Sequence, residues 1–244
     1  MVRVDQLLDE ALKLLPAKPA DSATQSEKRR YSELVSQKLA VAIAQELRHR
    51  GLKDARPAGE GDLGDSGAER RMAGGLGAKK VDVTWATEES GLLLAISIKS
   101  INFRDSKTKN FQKNLINRRG DMLMEAVTLH RRFPYAVLGA FFFLDKEAEN
   151  DDTKKRRSTL ANAHSRLQLF TGRNDPAGRE EQFERFYLIL LDARPDIVIL
   201  RPFAVGEGVT QLSFGEILDD LLKLVAQRNP DFYEFTEGNL QRAQ

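Results

Sequence analysis

Apolar positions recur along this chain at two spacings, and the change from one to the other lays out its elements. Residues 3–15 set Val4, Leu7, Leu8, Leu12 and Leu15 on one side of a short helix that Pro16 ends, and a linker rich in Pro, Ala and Ser runs on to Thr24. Residues 26–50 carry a longer stripe of Tyr31, Leu34, Val35, Leu39, Ala42, Ile43 and Leu47, stopped by Gly51. Residues 57–77, rich in Gly, Asp and Arg, show no period and predict a functional or mobile loop. In residues 79–86 the period falls to two: Val81, Val83 and Trp85 alternate with Asp82, Thr84 and Ala86, as in a strand with one buried face. Residues 92–101 are apolar on both faces, the pattern of a strand inside a sheet, and Ser97 and Lys99 interrupt only one of those faces.

A polar stretch over 102–114 follows, then a helix from about 112 to 132, a buried strand at 135–144 and a helix at 153–170. Strands at 183–191 and 197–203 precede a helix at 214–226, with Ser213 as its cap. That order predicts an α/β protein with a mixed central β-sheet flanked by helices, and there is no internal repeat. Residues 1–24 are expected to form an N-terminal helix and linker that dock on the body or on a partner, and 25–244 a single domain.

Composition narrows the chemistry. The 244 residues suffice to bury an adequate core, and the absence of cysteine excludes disulfides and thiolate metal sites. With 38 basic and 36 acidic residues the net charge is +2, so a nucleic-acid surface has to be local. His49, His130 and His164 lack metal-ligand spacing and are read as structural or solvated. The longest apolar run, 135–144, is too short to cross a bilayer, and no signal-peptide pattern opens the chain, so no membrane role and a cytoplasmic location are expected.

The two strands over 79–101 read as the arms of one hairpin, with Gly91 able to take positive φ in the turn. With Glu89 and Ser90 at the turn centre, Asp82 lies opposite Ser97; with Ser90 and Gly91 there, it lies opposite Lys99; a bulged three-residue loop is a third form. Either two-residue turn puts Asp82, Ser97 and Lys99 on one face. A lysine within an apolar central strand needs a compensating partner. One account is an Asp82–Lys99 ion pair that merely closes the hairpin; the other is that both groups face a cleft holding a metal and a phosphate.

An acid on one strand, a short hairpin and a lysine two residues after a polar position resemble the PD-(D/E)xK nuclease superfamily. Val81 stands where that family often has proline, and Ser97 where it has an acid, so the run Ser97-Ile98-Lys99 is closer to restriction endonucleases with an SxK variant. The resemblance covers roughly residues 26–145. It implies a restriction-endonuclease-like fold, a magnesium-dependent type II restriction-type enzyme hydrolysing double-stranded DNA, and a homodimer. It also implies that a glutamate on the following helix replaces the missing acid; the candidate is Glu125, which shares a helix flank with Arg118 and Asp121. Some members add a glutamate from the first helix. Here Glu46 lies within the apolar stripe, where pairing with Arg50 is the alternative, and Glu33 lies on the solvated face.

The residue types suit the chemistry. Asp82, Glu125 and the Ile98 carbonyl are hard oxygen donors for Mg2+, with Mn2+ expected to substitute. Lys99 would orient the attacking water or stabilise charge on the phosphate, and Ser97 would add a hydroxyl hydrogen bond. Arg104, Lys107, Lys109 and Lys113 could neutralise phosphates, while Gln112, Asn114, Asn117 and Arg118 could reach base edges. The run Lys154-Lys155-Arg156-Arg157 is expected to be a solvated helix start rather than a reading element, with phosphate contact as the alternative. Three classes remain: a DNA endonuclease, a catalytically degenerate nuclease-fold DNA-binding protein, and a scaffold without a nucleic-acid role.

Overall fold

The computed structural model describes residues 3–58, 71–194, 196–207 and 210–243. Helices α1 (Arg3–Lys13) and α2 (Gln25–His49) open the chain, and a small hairpin of β1 (Arg71–Gly74) and β2 (Gly77–Lys80) follows. Next come β3 (Val83–Thr87), β4 (Gly91–Ile101), α3 (Leu115–His130), β5 (Val137–Asp145) and α4 (Thr159–Leu167). Then come β6 (Arg185–Ala193), β7 (Val198–Ala204), α5 (Phe214–Arg228) and a last hairpin, β8 (Tyr233–Thr236) with β9 (Asn239–Arg242). Strands β3 to β7 form one sheet in sequence order: β4, β5 and β6 run parallel and the two edge strands pair antiparallel. This is an α/β protein with a mixed five-stranded sheet flanked by helices.

Period-two alternation divides the sheet between two cores. Ile96, Ile98, Phe141, Phe143 and Ile189 pack under α1, α2 and α5, whereas Ala95, Ala140, Phe142, Leu188 and Leu190 pack under α3 and α4. The apolar run inside β5 is fully buried on both faces, which follows from its place at the sheet centre. Thr24 and Ser213 each start a helix through a capping box, with Glu27 and Glu216 as the reciprocal carboxylates.

The structure departs from the sequence reading at several places. The strand expected over 79–86 is broken, because the chain bends at Asp82. Val81 then packs on the α3 side while Val83 and Trp85 keep to the α2 side, so the alternation does not run through. The helix expected from 153 starts at Thr159, because Asp151 accepts from Thr159 N at 2.6 Å and Ser158 caps the first turn. The helix expected from about 112 starts at Leu115. Hairpins β1–β2 and β8–β9 have strands of four residues, too short to display a period. Of the loop expected at 57–77, residues 59–70 lie outside the described residues, and its end belongs to β1 and β2.

Gly51 seats the last hairpin on the end of α2. Its φ is +103°, and a Cβ there would lie 2.1 Å from the Leu240 carbonyl oxygen. Gly51→Ala is therefore expected to cost at least about 1–3 kcal/mol, readable as a lower urea midpoint. Among the described residues no helix is long and apolar enough to cross a membrane.

Candidate active site

The site lies where β3, β4 and α3 meet. Val83 pairs with Ile96, and continuing that register sets Asp82 beside Ser97. A shift between Trp85 and Ala86 then leaves Glu88, Glu89 and Ser90 as a three-residue loop closed by Gly91 at φ +67°. The bulged form of the hairpin is thus the one that occurs. Asp82 has left the ladder, and its Oδ2 accepts from Ile98 N at 2.7 Å and from Lys99 Nζ at 3.2 Å.

Helix α3 returns over the face of β4 that carries Lys99 and brings Glu125 Oε2 to 3.5 Å from the ammonium. Lys99 Nζ also lies 3.3 Å from the Ile98 carbonyl oxygen. One ammonium therefore sits among three oxygens supplied by the bend at Asp82, by β4 and by α3. The Lys99 and Asp82 side chains are 18% and 15% exposed, enough for solvent to reach them, whereas Glu125 is buried.

Charge balance distinguishes this group from an ordinary ion pair. Two carboxylates face one ammonium, which leaves the cluster one positive charge short when all are ionised. Burial pulls the Lys99 ammonium down, but the charges of Glu125 and Asp82 and their hydrogen bonds outweigh it and hold it above the usual lysine range. Glu125 moves up: burial is the main cause, the charge of Asp82 adds to it, and Lys99 and the nearby Ser97 hydroxyl oppose without prevailing. Glu125 Oε1 and Ser97 Oγ are buried without a well-formed hydrogen bond, the Ser97–Glu125 approach aside. Orphaned polar atoms beside an uncompensated carboxylate fit a cation of hard-oxygen preference. Among the described residues no group of three His, Cys, Asp or Glu side chains could hold a metal, so Asp82, Glu125 and the Ile98 carbonyl are the donors on hand.

Asp82, Ile98 and Lys99 line a cleft of about 1100 Å³ between α2, the end of β4 and the segment 102–118, whereas Glu125 and Ser97 are buried and do not line it. Asn102 ties its floor together by donating to Ser32 Oγ of α2 at 3.1 Å and to Ser100 Oγ of β4 at 3.0 Å. Of the residues expected to meet nucleic acid, Arg104, Lys113, Asn114 and Arg118 line the cleft. Lys107 and Asn117 are exposed outside it, Lys109 borders a smaller adjoining hollow, and Gln112 is half-buried with Nε2 unpartnered.

Several wall cations are already engaged. Arg104 donates to Glu147 at 3.0 Å, Lys113 lies 2.5 Å from Asp105, and Arg118 lies 3.8 Å from the exposed Asp121. Lys28 and Arg29 of α2 also line the cleft and were missed by sequence reasoning. Their signal was the polar face of α2 opposite its apolar stripe.

Neither further glutamate joins Asp82 and Glu125 as a third carboxylate. Glu46 is buried between helices, accepting from Arg50 Nε and from Arg3 Nε at 2.7 Å each, so it fastens α1 to α2. Glu33 lines the cleft wall but is exposed and paired with Arg29 at 2.7 Å. His130 is buried, with Nε2 3.3 Å from Glu184. Comparison with protein-family models, curated proteins and solved structures finds no match to this chain, so what the site does has to be read from its own geometry.

Proposed function

We propose that this protein is a magnesium-dependent endonuclease that hydrolyses phosphodiester bonds of double-stranded DNA, a restriction-type enzyme with a restriction-endonuclease-like fold. The observation that carries the reading is the convergence of Asp82, Lys99 and the buried Glu125, from a bend, a strand and a helix, at a polar cleft that Asp82 and Lys99 line together with Lys28, Arg29, Arg104, Lys113 and Arg118. Asp82, Glu125 and the Ile98 carbonyl would hold Mg2+ or Mn2+. When bound, the ion supplies positive charge against the pentacoordinate transition state and makes a water easier to deprotonate. Lys99, freed from bridging two carboxylates, turns its ammonium toward a phosphate oxygen, and Ser97 offers a hydroxyl without a well-formed hydrogen bond within the chain. The wall cations neutralise flanking phosphates and fix the register of the backbone. Cutting both strands calls for two such sites, hence a homodimer, and a chain without cysteine suits the reducing cytoplasm where cellular DNA lies.

Supercoiled plasmid is the test substrate. Cleavage is expected only with Mg2+ or Mn2+, to stop with a chelator, and to fall at least about 100-fold in Asp82→Asn with an unchanged circular-dichroism spectrum. Undiminished cleavage by that variant would falsify the assignment of the site. A pH series adds a second signature. Because the Glu125 carboxyl is raised, cleavage at limiting metal is expected to climb as pH rises through a midpoint above about 4.3, the ordinary glutamate value.

A second reading has its own observation: the Lys99 ammonium already touches both carboxylates, and Ser97 occupies the place of an acid. A protein degenerate in that way would bind DNA with the usual salt dependence and cleave it with no divalent ion.

A further inference from the structure

Cations around the cleft fall into two groups. On its walls Arg29 is engaged by Glu33, Lys113 by Asp105 and Arg104 by Glu147, and Lys28 donates to the Asp21 carbonyl. Beyond the carboxyl ends of β4 and β5 stand Lys107, Lys109, Lys154, Lys155 and Arg157, all exposed and with no side-chain hydrogen bond or ion pair among the described residues. They come from two segments far apart in sequence, and Asp151 holds those segments side by side. Its Oδ2 accepts from Phe111 N at 3.2 Å and from Thr159 Oγ1 at 2.5 Å, while Oδ1 accepts from Thr159 N at 2.6 Å. Arg104 of the first segment reaches Glu147, just ahead of the second, at 3.0 Å.

The acid at the centre of this junction is buried and taken up by the Phe111 and Thr159 amides, the Thr159 hydroxyl and Arg156 at 3.7 Å, and it forms no ion pair with the five outer cations. In a chain of net charge +2, collecting them on one edge sets like charges against each other with no internal gain. A polyanion laid across the edge removes that repulsion and releases its own counterions.

We infer that this edge is a second phosphate-binding surface, continuous with the cleft through Arg104, on which the part of a DNA duplex flanking the cleavage position lies. The identity of the polyanion rests on the nuclease reading. The contacts are to backbone phosphates: the cations sit on flexible side chains at exposed turns, and no amide or aromatic group stands among the five for reading bases.

The test compares the full chain with the triple variant Lys154→Ala/Lys155→Ala/Arg157→Ala. Affinity for duplex DNA is followed by fluorescence anisotropy across a salt series, once with a long duplex and once with one short enough to fill only the cleft. For the long duplex the slope of log K against log salt is expected to flatten by about 2–3, at roughly 0.9 per lost phosphate contact. Affinity for the short duplex should be unchanged. Lys223→Ala, exposed on α5 two residues from Leu221, which packs on Gly139 near the start of β5, is expected to leave the slope as it was. An unaltered slope in the triple variant, with the parent protein still binding and cutting DNA, overturns this inference and spares the nuclease reading. Loss of phosphatidylserine-vesicle binding in the triple variant without a change in the duplex slope overturns it in favour of a membrane surface. No salt-dependent duplex binding by the parent protein removes both readings together.

Discussion

Lys99→Met is expected to lower plasmid cleavage by about 10²- to 10³-fold, the usual loss when a group that stabilises developing charge is removed. The same change should make stability respond to metal. In the parent protein the ammonium lies within 3.5 Å of both Asp82 and Glu125; without it two carboxylates face each other in a largely buried site. Glu125, already raised by burial, then takes up a proton more readily, so the loss in metal-free buffer stays near about 1–3 kcal/mol. Adding Mg2+ should restore more of the urea midpoint in Lys99→Met than it adds to the parent protein, because the ion meets both charges. A variant that cuts DNA at the parent rate would reduce Lys99 to the partner of a hairpin-closing ion pair.

The largest expected loss of stability lies away from the cleft, at Glu184. Its Oε1 accepts from Arg173 Nη1 at 2.8 Å and from Arg228 Nη1 at 2.7 Å, and its Oε2 accepts from Leu138 N at 2.6 Å. This carboxylate joins β5, α5 and the Arg173 loop, and the two guanidiniums are nearly as buried as it is. Glu184→Gln keeps the shape and strands those charges, at a cost of about 3–5 kcal/mol. For a chain of this size that is a fall of roughly 10 °C in Tm.

The pH dependence has a definite sign. Burial pushes the Glu184 carboxyl up, but the hydrogen bond and charge of His130, the charge of Arg228 and the Leu138 amide outweigh it and hold it below the usual range. Its contribution is therefore present above the unfolded value of about 4.3 and lost as pH falls through the lower folded value. Acid titration of stability should be shallower in Glu184→Gln than in the parent; equal curves would mean that the node carries no such charge.

The legible parts of this molecule are those where one side-chain period runs long enough to be read. Eleven residues of β4, apolar but for Ser97, Lys99 and Ser100, announced both a strand inside the sheet and a lysine in want of partners. Glu125 was picked out by the resemblance alone; the apolar stripe of α3 put it only on a flank, where the structure buries it. Asp82 was found for a reason only partly true, since the alternation that picked it out ends at the bend where it sits and Val81 belongs to the opposite core. Glu46 illustrates a limit of the periodic argument. A buried acid announces that it needs a partner, but Arg3, more than forty residues away, is brought to it only by the packing of α1 on α2. Asp151 is the same case in the loops: its partners Phe111 and Thr159 are set by the tertiary fold, and no sequence period points to them.

Crystals soaked in manganese chloride and measured at a wavelength where manganese scatters anomalously put the site directly to the test. An anomalous peak bonded to the carboxylates of Asp82 and Glu125, with the Lys99 ammonium moved out from between them, is the predicted result. No peak there at manganese concentrations that support DNA cleavage, or one bound only elsewhere on the protein, would contradict the account.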